Sequence, residues 1–548
     1  MSYSMAISLG HNSSAILISP EGEILAGYET ERFDQIKSSS QFPIGPIERL
    51  MFDYGLDYNE INAFIGHWFT SGRLPQESTK HCNLEILKKF NEVNSLSQDF
   101  THHDSHLESA MAFAGVEFYG SEEDDTYAFV MDGFGTMGEC ISIYRMSVFG
   151  YHLKQRVFGY KNSLGMLYQY ATDYMGMKMN NHEYKILAYE VHINDIDCDK
   201  DALTIEAQNY ATMMLENIFK GKFVKDEDPV VNVSALQETQ ARIHRFLQEA
   251  LENANVDTYN VYSKRVATAY MIQMIVETVV LELRKLYPSR NLLLSGGLFY
   301  NVKLNNLLAD TCDGKICVMP LAGDQGAGLG VYQAHNGNLK WPGHVFWGSR
   351  DLFLPQSNDG IMIFDSMYDA LPTIAHELHR IGFVNLVRGA MEFGPRALCN
   401  TSTLAVPTIY VTNIINQINN RTAEMPMAPV VTRDQAKTIF KDTEKVHKSL
   451  EYMIVTRKYE SNDYAAQAMS GAAHYYPDQD EFTGRPQIAY ESYMCQILEI
   501  FGPLVNTSFN YHGLPIVFEG DSIRQTHQAQ HNNRPDLGLK TIVIRSPK

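Results

Sequence analysis

Two histidines four residues apart have the side-chain type and spacing of metal ligands. In the stretch Thr101–Ala110, His102 and His106 would project from one face of a helix. Two imidazoles supply half of a divalent metal site, and oxygen ligands such as Asp132 and Asp324 could complete it. A polar helix with solvated histidines has the same short pattern, so this spacing alone leaves both interpretations open.

The two aspartates come directly after strand-like segments. Asp132 follows the apolar run 127–131, and Asp324 lies in a glycine-rich segment, 322–330, after the run 317–320. A carboxylate after a strand, with glycines beside it, is well placed for a metal or a phosphate. Plain turn chemistry explains such a position equally well.

A third junction of this kind predicts a phosphate contact. The apolar run 291–294 leads through Ser295 into Gly296 and Gly297, ahead of Asn301 and a predicted helix. Glycines let backbone N–H groups approach phosphates without a Cβ in the way. A single Gly-Gly pair is a weak signal.

Polar residues near the N-terminus belong to a predicted turn and loop. Residues 3–9 and 14–18 predict a β-hairpin, and His11 lies in the turn between its strands. A turn histidine in contact with water is the alternative. Lys37 follows a mixed-charge run, 29–33, and becomes important if its loop folds back on an anion.

Anion-binding side chains recur towards the C-terminus. Arg396 lies in the segment 389–398, and Asn506 and Ser508 lie in the segment 504–510. A guanidinium with amide and hydroxyl donors could hold phosphate and carbonyl oxygens. An arginine paired with one of the many acids of the chain would look the same in sequence.

The composition indicates a multidomain globular protein. Its 548 residues are 45% hydrophobic and 20% charged, with a net charge of −19. The acidic balance argues against broad electrostatic capture of a nucleic-acid duplex, although it permits a local basic groove. The seven cysteines include no CxxC pair, which favours the cytosol. We find no basic signal-peptide region and no apolar run of about 18 residues, so we expect no membrane span.

The Gly-, Pro- and Asn-rich stretch 336–357 predicts a domain boundary. We therefore divide the chain into residues 1–345 and 346–548. Helices are expected at 234–256 and 263–287 and near 368–380, with a strand at 383–387.

Taken in order, these motifs resemble the O-carbamoyltransferases of nodulation-factor and antibiotic biosynthesis. The MEFGPRAL string (391–398) and the NTSFN string (506–510) are the most specific parts of the match. The resemblance implies an α/β fold in which an actin-like (ASKHA, RNase H-like) Kae1-like domain, 1–345, precedes an α/β YrdC-like domain, 346–548. The family pattern is also matched at the His11 turn, at 31–33 with Lys37, at 183–185, and at the four candidate metal ligands.

The resemblance implies a two-step reaction. Carbamoyl phosphate and ATP would form carbamoyl adenylate, and an acceptor hydroxyl would then take the carbamoyl group and release AMP. The catalytic residues implied are His11 as general base, Lys37, Arg396 and Ser508. The residues implied in cofactor binding are Gly296, Gly297, Asn301, Arg421, Asn506 and Asn510. The metal ligands implied are His102, His106, Asp132 and Asp324, which suit iron(II), manganese or zinc.

Several positions depart from the family pattern. An expected arginine is missing where the chain has Gly389-Ala390-Met391, and Arg388 is a candidate substitute. The usual basic segment is reduced at 420–429, where Arg421 is the best remaining cation. These losses put the tightness of carbamoyl phosphate or ATP binding in question.

The acceptor stays open at this level. It is a small-molecule hydroxyl or, as in a phage-associated branch of the family, 5-hydroxymethylcytosine in DNA. Residues for DNA contact would be Tyr151, His152, Lys154, Arg156 and Tyr160. The expected location is the cytoplasm, or the host cytoplasm for a phage protein, and a homodimer is a candidate oligomeric state. Two other functions remain: threonylcarbamoyl transfer to tRNA, which the MEFGPRAL string disfavours, and nucleotide-binding regulation without catalysis.

Overall fold

The computed structural model describes residues 2–68, 82–97, 99–120, 125–219, 232–348, 353–355, 360–421, 426–477 and 479–545. Residues 422–425 of the reduced basic segment, and 349–352 and 356–357 of the predicted linker, lie outside the described residues. We call the part that contains the first ten strands the first lobe and the part that contains the remaining strands the second lobe.

Two five-stranded sheets form the first lobe. The first sheet contains β1 (Tyr3–Ser8), β2 (Ser14–Ile18), β3 (Ile24–Glu29), β4 (Ile61–Gly66) and β5 (Glu92–Ser95). The second contains β6 (Thr126–Met131), β7 (Glu139–Ser147), β8 (Gly150–Phe158), β9 (Asn291–Ser295) and β10 (Ile316–Val318).

The two sheets repeat one topology. Their strand orders are β3-β2-β1-β4-β5 and β8-β7-β6-β9-β10. In each sheet the first three strands along the chain form an antiparallel meander. The last two strands along the chain run parallel to the first one, β1 or β6. This duplicated mixed α/β arrangement agrees with the expected actin-like fold.

The helices of the first lobe are α1 (Glu31–Asp34), α2 (Ile44–Tyr54), α3 (Leu84–Leu87), α4 (His102–Ala114), α5 (Leu164–Tyr174), α6 (Ile186–Tyr189), α7 (Lys200–Phe219), α8 (Val233–Asn253), α9 (Val261–Leu286), α10 (Val302–Asp310) and α11 (Ala327–Asn336). Helix α11 packs on β1 and β4, α4 packs on β6 and β9, and the two helices contact each other between the sheets. Their approach needs Gly330, since a Cβ there would lie 1.8 Å from the Ser105 carbonyl oxygen.

The second lobe contains a seven-stranded and a three-stranded sheet. The strands are β11 (Ile361–Phe364), β12 (Phe383–Arg388), β13 (Thr401–Ala405), β14 (Ala428–Val431), β15 (Arg457–Lys458), β16 (His474–Tyr476), β17 (Glu481–Gly484), β18 (Gln487–Ile488), β19 (Leu504–Ser508) and β20 (Thr541–Ile544). The larger sheet has the order β11-β20-β12-β13-β19-β14-β18 and the smaller sheet has the order β15-β17-β16. The helices are α12 (Met367–Arg380), α13 (Ile409–Ile418), α14 (Arg433–Ile439), α15 (His447–Leu450), α16 (Asn462–Ala468), α17 (Ser492–Phe501) and α18 (Gly520–Asn533).

The predicted hairpin, the histidine helix, the strand before Asp132 and the helices at 234–256 and 263–287 are confirmed, with small changes at their ends. Among the described residues, α9 alone is long and apolar enough to cross a membrane. Of its most apolar window, 67% is buried inside the protein, as in a core helix. The Kae1-like and YrdC-like assignments and the boundary at 345 stay predictions.

Candidate active site

Three segments of the first lobe deliver the candidate metal ligands. His102 and His106 lie in the first two turns of α4, which begins after a capping box formed by Thr101 and Asp104. Asp132 follows β6, and Asp324 lies in the turn between β10 and α11. Strands β6 and β10 run in the same direction in one sheet, so their carboxyl ends meet at one edge.

The four side chains converge on one point. Their ligand atoms all lie within 4.8 Å of one another, and all four residues are buried. His102 Nε2 is 3.2 Å from Asp324 Oδ1 and 3.1 Å from His106 Nε2. Asp324 Oδ1 is buried but accepts no well-formed hydrogen bond. A divalent cation would satisfy that oxygen, so the donor set fits such an ion.

Opposite charges shift the pKa values of this cluster. Burial disfavours the charged imidazole of His102, but Asp324 and Asp132 outweigh burial and raise its pKa well above the ordinary value. Burial also disfavours the Asp132 carboxylate, but hydrogen bonds from the two histidines lower its pKa. A cation that displaces imidazole protons would therefore be bound more weakly at acidic pH.

Two backbone contacts orient the ligands. His102 Nδ1 lies 3.1 Å from the His67 carbonyl oxygen, a contact that leaves Nε2 to face the cluster when Nδ1 carries the proton. Gly297 donates its N–H to Asp132 Oδ1 over 3.1 Å, so the other carboxylate oxygen faces the histidines. Such contacts hold ligands in place before a metal binds.

His11 lies beside this cluster, in the turn between β1 and β2. Its Nδ1 is 3.0 Å from Asp324 Oδ2. Burial lowers its pKa, but Asp324 and Asp132 outweigh that effect and raise it to about 9. Without a bound cation the imidazole is therefore charged at neutral pH, whereas a cation held by Asp324 and Asp132 would offset the two carboxylates and favour the neutral imidazole.

Polar side chains of the second lobe surround the Arg421 guanidinium. It donates to Thr507 Oγ1 over 2.6 Å, to Ser508 Oγ over 3.1 Å and to Asn510 Oδ1. In the described part of the chain it has no ion-pair partner, and burial lowers its pKa. A half-buried cation held only by neutral groups is suited to an anionic ligand.

Arg396 is a second cation of this kind. Its Nε is buried and has no hydrogen-bond partner among the described residues, and burial lowers the pKa of its guanidinium. Asn506 donates its amide to the Ala397 carbonyl oxygen over 2.6 Å. The NTSFN strand thus supports the backbone next to Arg396.

Arg485 and Lys37 are two further cations near Arg396 and Arg421. Burial lowers the pKa of Arg485, and Arg396 lowers it further. Burial, Arg421 and Arg396 lower the pKa of Lys37 to about 8, although Glu31 opposes them. Sequence reasoning missed Arg485, because the local segment 483–486 has no distinctive pattern.

A single cavity joins the two groups of side chains. It measures about 650 Å³, and its wall includes both aspartate ligands and His11 on one side. Its other lining residues include Lys37, Arg396, Arg421, Arg485, Asn506, Ser508 and Asn510, together with Gly297 and Asn301. Residues separated by hundreds of positions in the chain therefore line one cavity of the size typical for small-molecule sites.

Three sequence-based assignments are not supported by the geometry of the described residues. Gly296 does not line the cavity: its φ is +94°, and a Cβ would lie 2.3 Å from the Met131 carbonyl oxygen, so it serves the packing of β9 on β6. The N–H of Gly297 is engaged by Asp132. Arg388 also lies away from the cavity, where it contacts Asn400 and Glu491.

The side chain of Asn301 and part of the suggested DNA contact face are likewise committed elsewhere. Asn301 caps α10 and donates to Tyr168 and Gln273. Arg156 binds Asp104 over 2.7 Å, and Tyr160 is buried against Phe134. Neither Arg156 nor Tyr160 is presented to a duplex.

Comparison with known proteins places these features in a family. The family description "Carbamoyltransferase N-terminus" matches residues 77–332 and "Carbamoyltransferase C-terminus" matches residues 375–538. The nodulation protein NolNO of Sinorhizobium fredii is 24% identical over 558 residues, 92% of this chain and 75% of that protein. The 3'-hydroxymethylcephem-O-carbamoyltransferase of Amycolatopsis lactamdurans is 28% identical over 282 residues, 49% of this chain and 51% of that one.

Component A of (R)-2-hydroxyglutaryl-CoA dehydratase from Acidaminococcus fermentans is a structural neighbour, with 11% identity and a TM-score of 0.31 over 61% of this chain and 97% of its own. At that score the fold assignment depends on the strand order described above. The two family matches together span more than half of the sequence and contain all the metal-cluster and Arg396–Asn510 residues. The chain belongs to the carbamoyltransferase family and is a transferase enzyme.

Proposed function

We propose that this enzyme makes carbamoyl adenylate in the second lobe and transfers its carbamoyl group to a small-molecule hydroxyl in the first. The observation that carries the proposal is the shared cavity. Within the described residues, Arg396, Arg421 and Arg485 at one side have no ion-pair partner, and the His/Asp cluster lies at the other side. A labile mixed anhydride made at one side could reach the other without entering bulk water.

Atom balance defines the first half of the reaction. Water cleaves the P–O bond of carbamoyl phosphate and gives carbamate and phosphate. A carbamate oxygen then attacks the α-phosphorus of ATP and expels pyrophosphate, which leaves carbamoyl adenylate. Arg396, Arg421 and Arg485 are the groups that would neutralise the phosphoryl oxygens, and Ser508 would orient them.

The second half is an acyl transfer to the acceptor hydroxyl. Its oxygen attacks the carbamoyl carbon, the bond to AMP breaks, and the hydroxyl proton leaves to a base. His102, His106, Asp132 and Asp324 would hold a divalent cation, with iron(II), manganese and zinc all compatible with this donor set. When bound, such a cation would polarise an oxygen of the reacting group.

His11 is the group that we propose as the base. It lines the cavity beside Asp324 and is within hydrogen-bond distance of that carboxylate. The carboxylate would orient the ring and stabilise the imidazolium formed when the hydroxyl proton is taken up.

The lining beside the cluster favours a compact polar acceptor. Trp68 and Phe134 meet edge to face with ring centroids 5.6 Å apart. Gln169, Asn180 and Asn181 line the same region. Aromatic faces with amide hydrogen-bonding groups suit a hydroxylated ring, whereas a duplex would need a broad basic face.

Product mass and pyrophosphate release would test the two halves together. The protein would be incubated with ATP, carbamoyl phosphate, a divalent metal and a panel of sugars, aminoglycosides, hydroxymethylcytidine and hydroxymethylcytosine-containing DNA. We expect one small acceptor to gain the mass of one carbamoyl group, with one equivalent each of AMP, pyrophosphate and phosphate. Absence of carbamoyl-phosphate-dependent pyrophosphate would refute the donor half.

Variants would assign the halves to their lobes. Arg396→Ala should lower the rate of pyrophosphate formation at least about 100-fold. His102→Ala should retain it and lose carbamate-ester formation. Equal loss of both activities in both variants would contradict the division of labour.

A further inference from the structure

The loop that carries Arg396 is held by a charged pair from the other lobe. Arg32 Nη2 donates to the Gly394 carbonyl oxygen over 2.9 Å, and Glu29 Oε2 accepts the Gly394 N–H over 3.0 Å. Arg32 and Glu29 also bind each other over 2.9 Å, and both are buried. Both backbone polar groups of Gly394 are therefore satisfied by one ion pair from β3 and α1.

The other end of the loop has its own anchor. Glu392 Oε1 accepts N–H groups from Leu398, Asn400 and Thr401 over 2.6, 2.7 and 3.1 Å. This anchor lies within the second lobe. Arg396 therefore stands between one fixed point supplied by its own lobe and one supplied by the transfer lobe.

The geometry of Gly394 makes the first-lobe contact decisive. Its φ of +106° belongs to the region that favours glycine. Two residues later, the Arg396 side chain enters the cavity without a fixed protein partner on its Nε. With no contact that holds this nitrogen, the direction of the guanidinium depends on the backbone that bears it.

We propose that Glu29 and Arg32 are positioning residues for the donor half of the reaction: the ion pair of the transfer lobe sets the Arg396 guanidinium for the carbamoyl phosphate or ATP phosphoryl group. This inference builds on the proposed function. It makes the first half-reaction depend on residues of the lobe that carries out the second.

The structure offers a matched control pair. Arg49 and Glu519 also join the two lobes through a buried bidentate ion pair, with N–O distances of 2.8 and 3.1 Å. Glu519 is remote in sequence from the Arg396 loop and does not line the cavity. Glu519→Gln therefore tests whether general loosening of the lobe interface is enough to produce an effect.

Steady-state kinetics of pyrophosphate release would measure positioning. We expect Glu29→Gln and Arg32→Lys to raise the KM for carbamoyl phosphate or ATP about tenfold, with a smaller change in kcat, because each loses or weakens its one charged hydrogen bond to Gly394. Glu519→Gln should change both constants less than about twofold. An equal effect in Glu519→Gln, or no effect in Glu29→Gln and Arg32→Lys, would overturn the proposal.

Hydrogen exchange gives a readout that needs no turnover. The Gly394 amide should exchange about tenfold faster in Arg32→Lys and Glu29→Gln than in the wild type, and unchanged in Glu519→Gln. Unchanged exchange of the Gly394 amide in all variants would overturn the proposal that Glu29 and Arg32 hold the loop. A wild-type protein that makes no pyrophosphate would refute the proposed function. The exchange rates would still show whether Glu29 and Arg32 hold the loop.

Discussion

His102 and His103 are adjacent in sequence but lie in different surroundings. His102 faces the carboxylates of the cluster, whereas His103 Nδ1 contacts Ser142 Oγ over 2.9 Å. Burial and the neighbouring His102 hold the pKa of His103 well below its ordinary value. The turn of α4 thus separates a candidate ligand from a neutral packing residue.

This difference predicts that substitutions of the two histidines affect metal binding to different extents. His102→Ala and Asp324→Asn should weaken Mn²⁺ or Zn²⁺ binding by at least about 100-fold, because each removes a ligand. His103→Gln should stay within a few-fold of the wild type. Isothermal titration at fixed pH would measure the affinities, and wild-type affinity in His102→Ala would exclude the proposed centre.

Lys37 predicts a pH limit on the donor half. Burial and the nearby arginines lower its pKa to about 8, so the ammonium charge is present below that pH and is lost above it. If this charge helps to bind phosphoryl groups, kcat/KM for pyrophosphate release should fall as pH rises through about 8. Rates measured between pH 6.5 and 9.5 would show this decrease in kcat/KM.

Lys37→Arg provides the control, because arginine stays charged over this whole range. The alkaline limb should then disappear or move well above pH 9. A wild-type profile that remains flat to pH 9 would show that the Lys37 charge has no part in donor binding.

At the scale of elements, the strand-to-glycine junction after β9 contacts a candidate metal ligand, Asp132. A Cβ on Gly297 would lie 2.7 Å from Asp132 Oδ1, which accepts the N–H of the same residue. Gly133, next to Asp132, has more room, since its Cβ would lie 3.7 Å from Met166 Sδ. Two glycines around one carboxylate therefore differ in what they tolerate.

We expect Gly297→Ala to displace the Asp132 carboxylate and to weaken metal binding by about 10- to 100-fold. Gly133→Ala should change the affinity by less than about threefold, because the new methyl group is in ordinary contact. The comparison uses the same titration. Similar affinities in both variants would mean that the Gly297 contact does not orient the ligand.

At the scale of the whole molecule, a segment of the second lobe is fixed to the first by many polar contacts. Arg457, which is 2% exposed, donates to Asn306 Oδ1 over 2.9 Å and reaches Asp310 Oδ1 at 3.3 Å. Asn305 donates to the Ile454 carbonyl oxygen over 2.7 Å. These contacts keep the two sides of the cavity in register.

Removing the Arg457 guanidinium should destabilise the joined lobes. Arg457→Met keeps most of the volume but loses the buried hydrogen bonds, at a cost of about 2–4 kcal/mol. Calorimetry should show the first unfolding transition lowered by a few degrees. Arg433→Met, which removes an exposed pair with Glu451, should leave that transition almost unchanged, and equal shifts would contradict the role of Arg457.

Local patterns in the sequence were enough to predict the hairpin around His11, the helix that carries His102 and His106, and the strands that end before Asp132 and Asp324. These features depend on periodicity and turn residues within short windows. Asp132 and Asp324 could be suggested as partners of the two histidines because each follows a strand, and the family resemblance supported that choice. Local patterns could not show that the four side chains converge, since His102 and Asp324 are far apart in the chain. The acceptor and the ion remain predictions.

Only the tertiary structure brought Arg485 to Arg396 and Lys37, turned Arg156 inward, engaged the Gly297 N–H and placed Glu29 and Arg32 on Gly394. The physical reason is that these contacts join segments from separate sheets and lobes. Their formation depends on how buried charges and backbone groups are satisfied after the sheets pack. Sequence therefore determined the elements and the residue types of this carbamoyltransferase, and packing decided which of those residues face the same cavity.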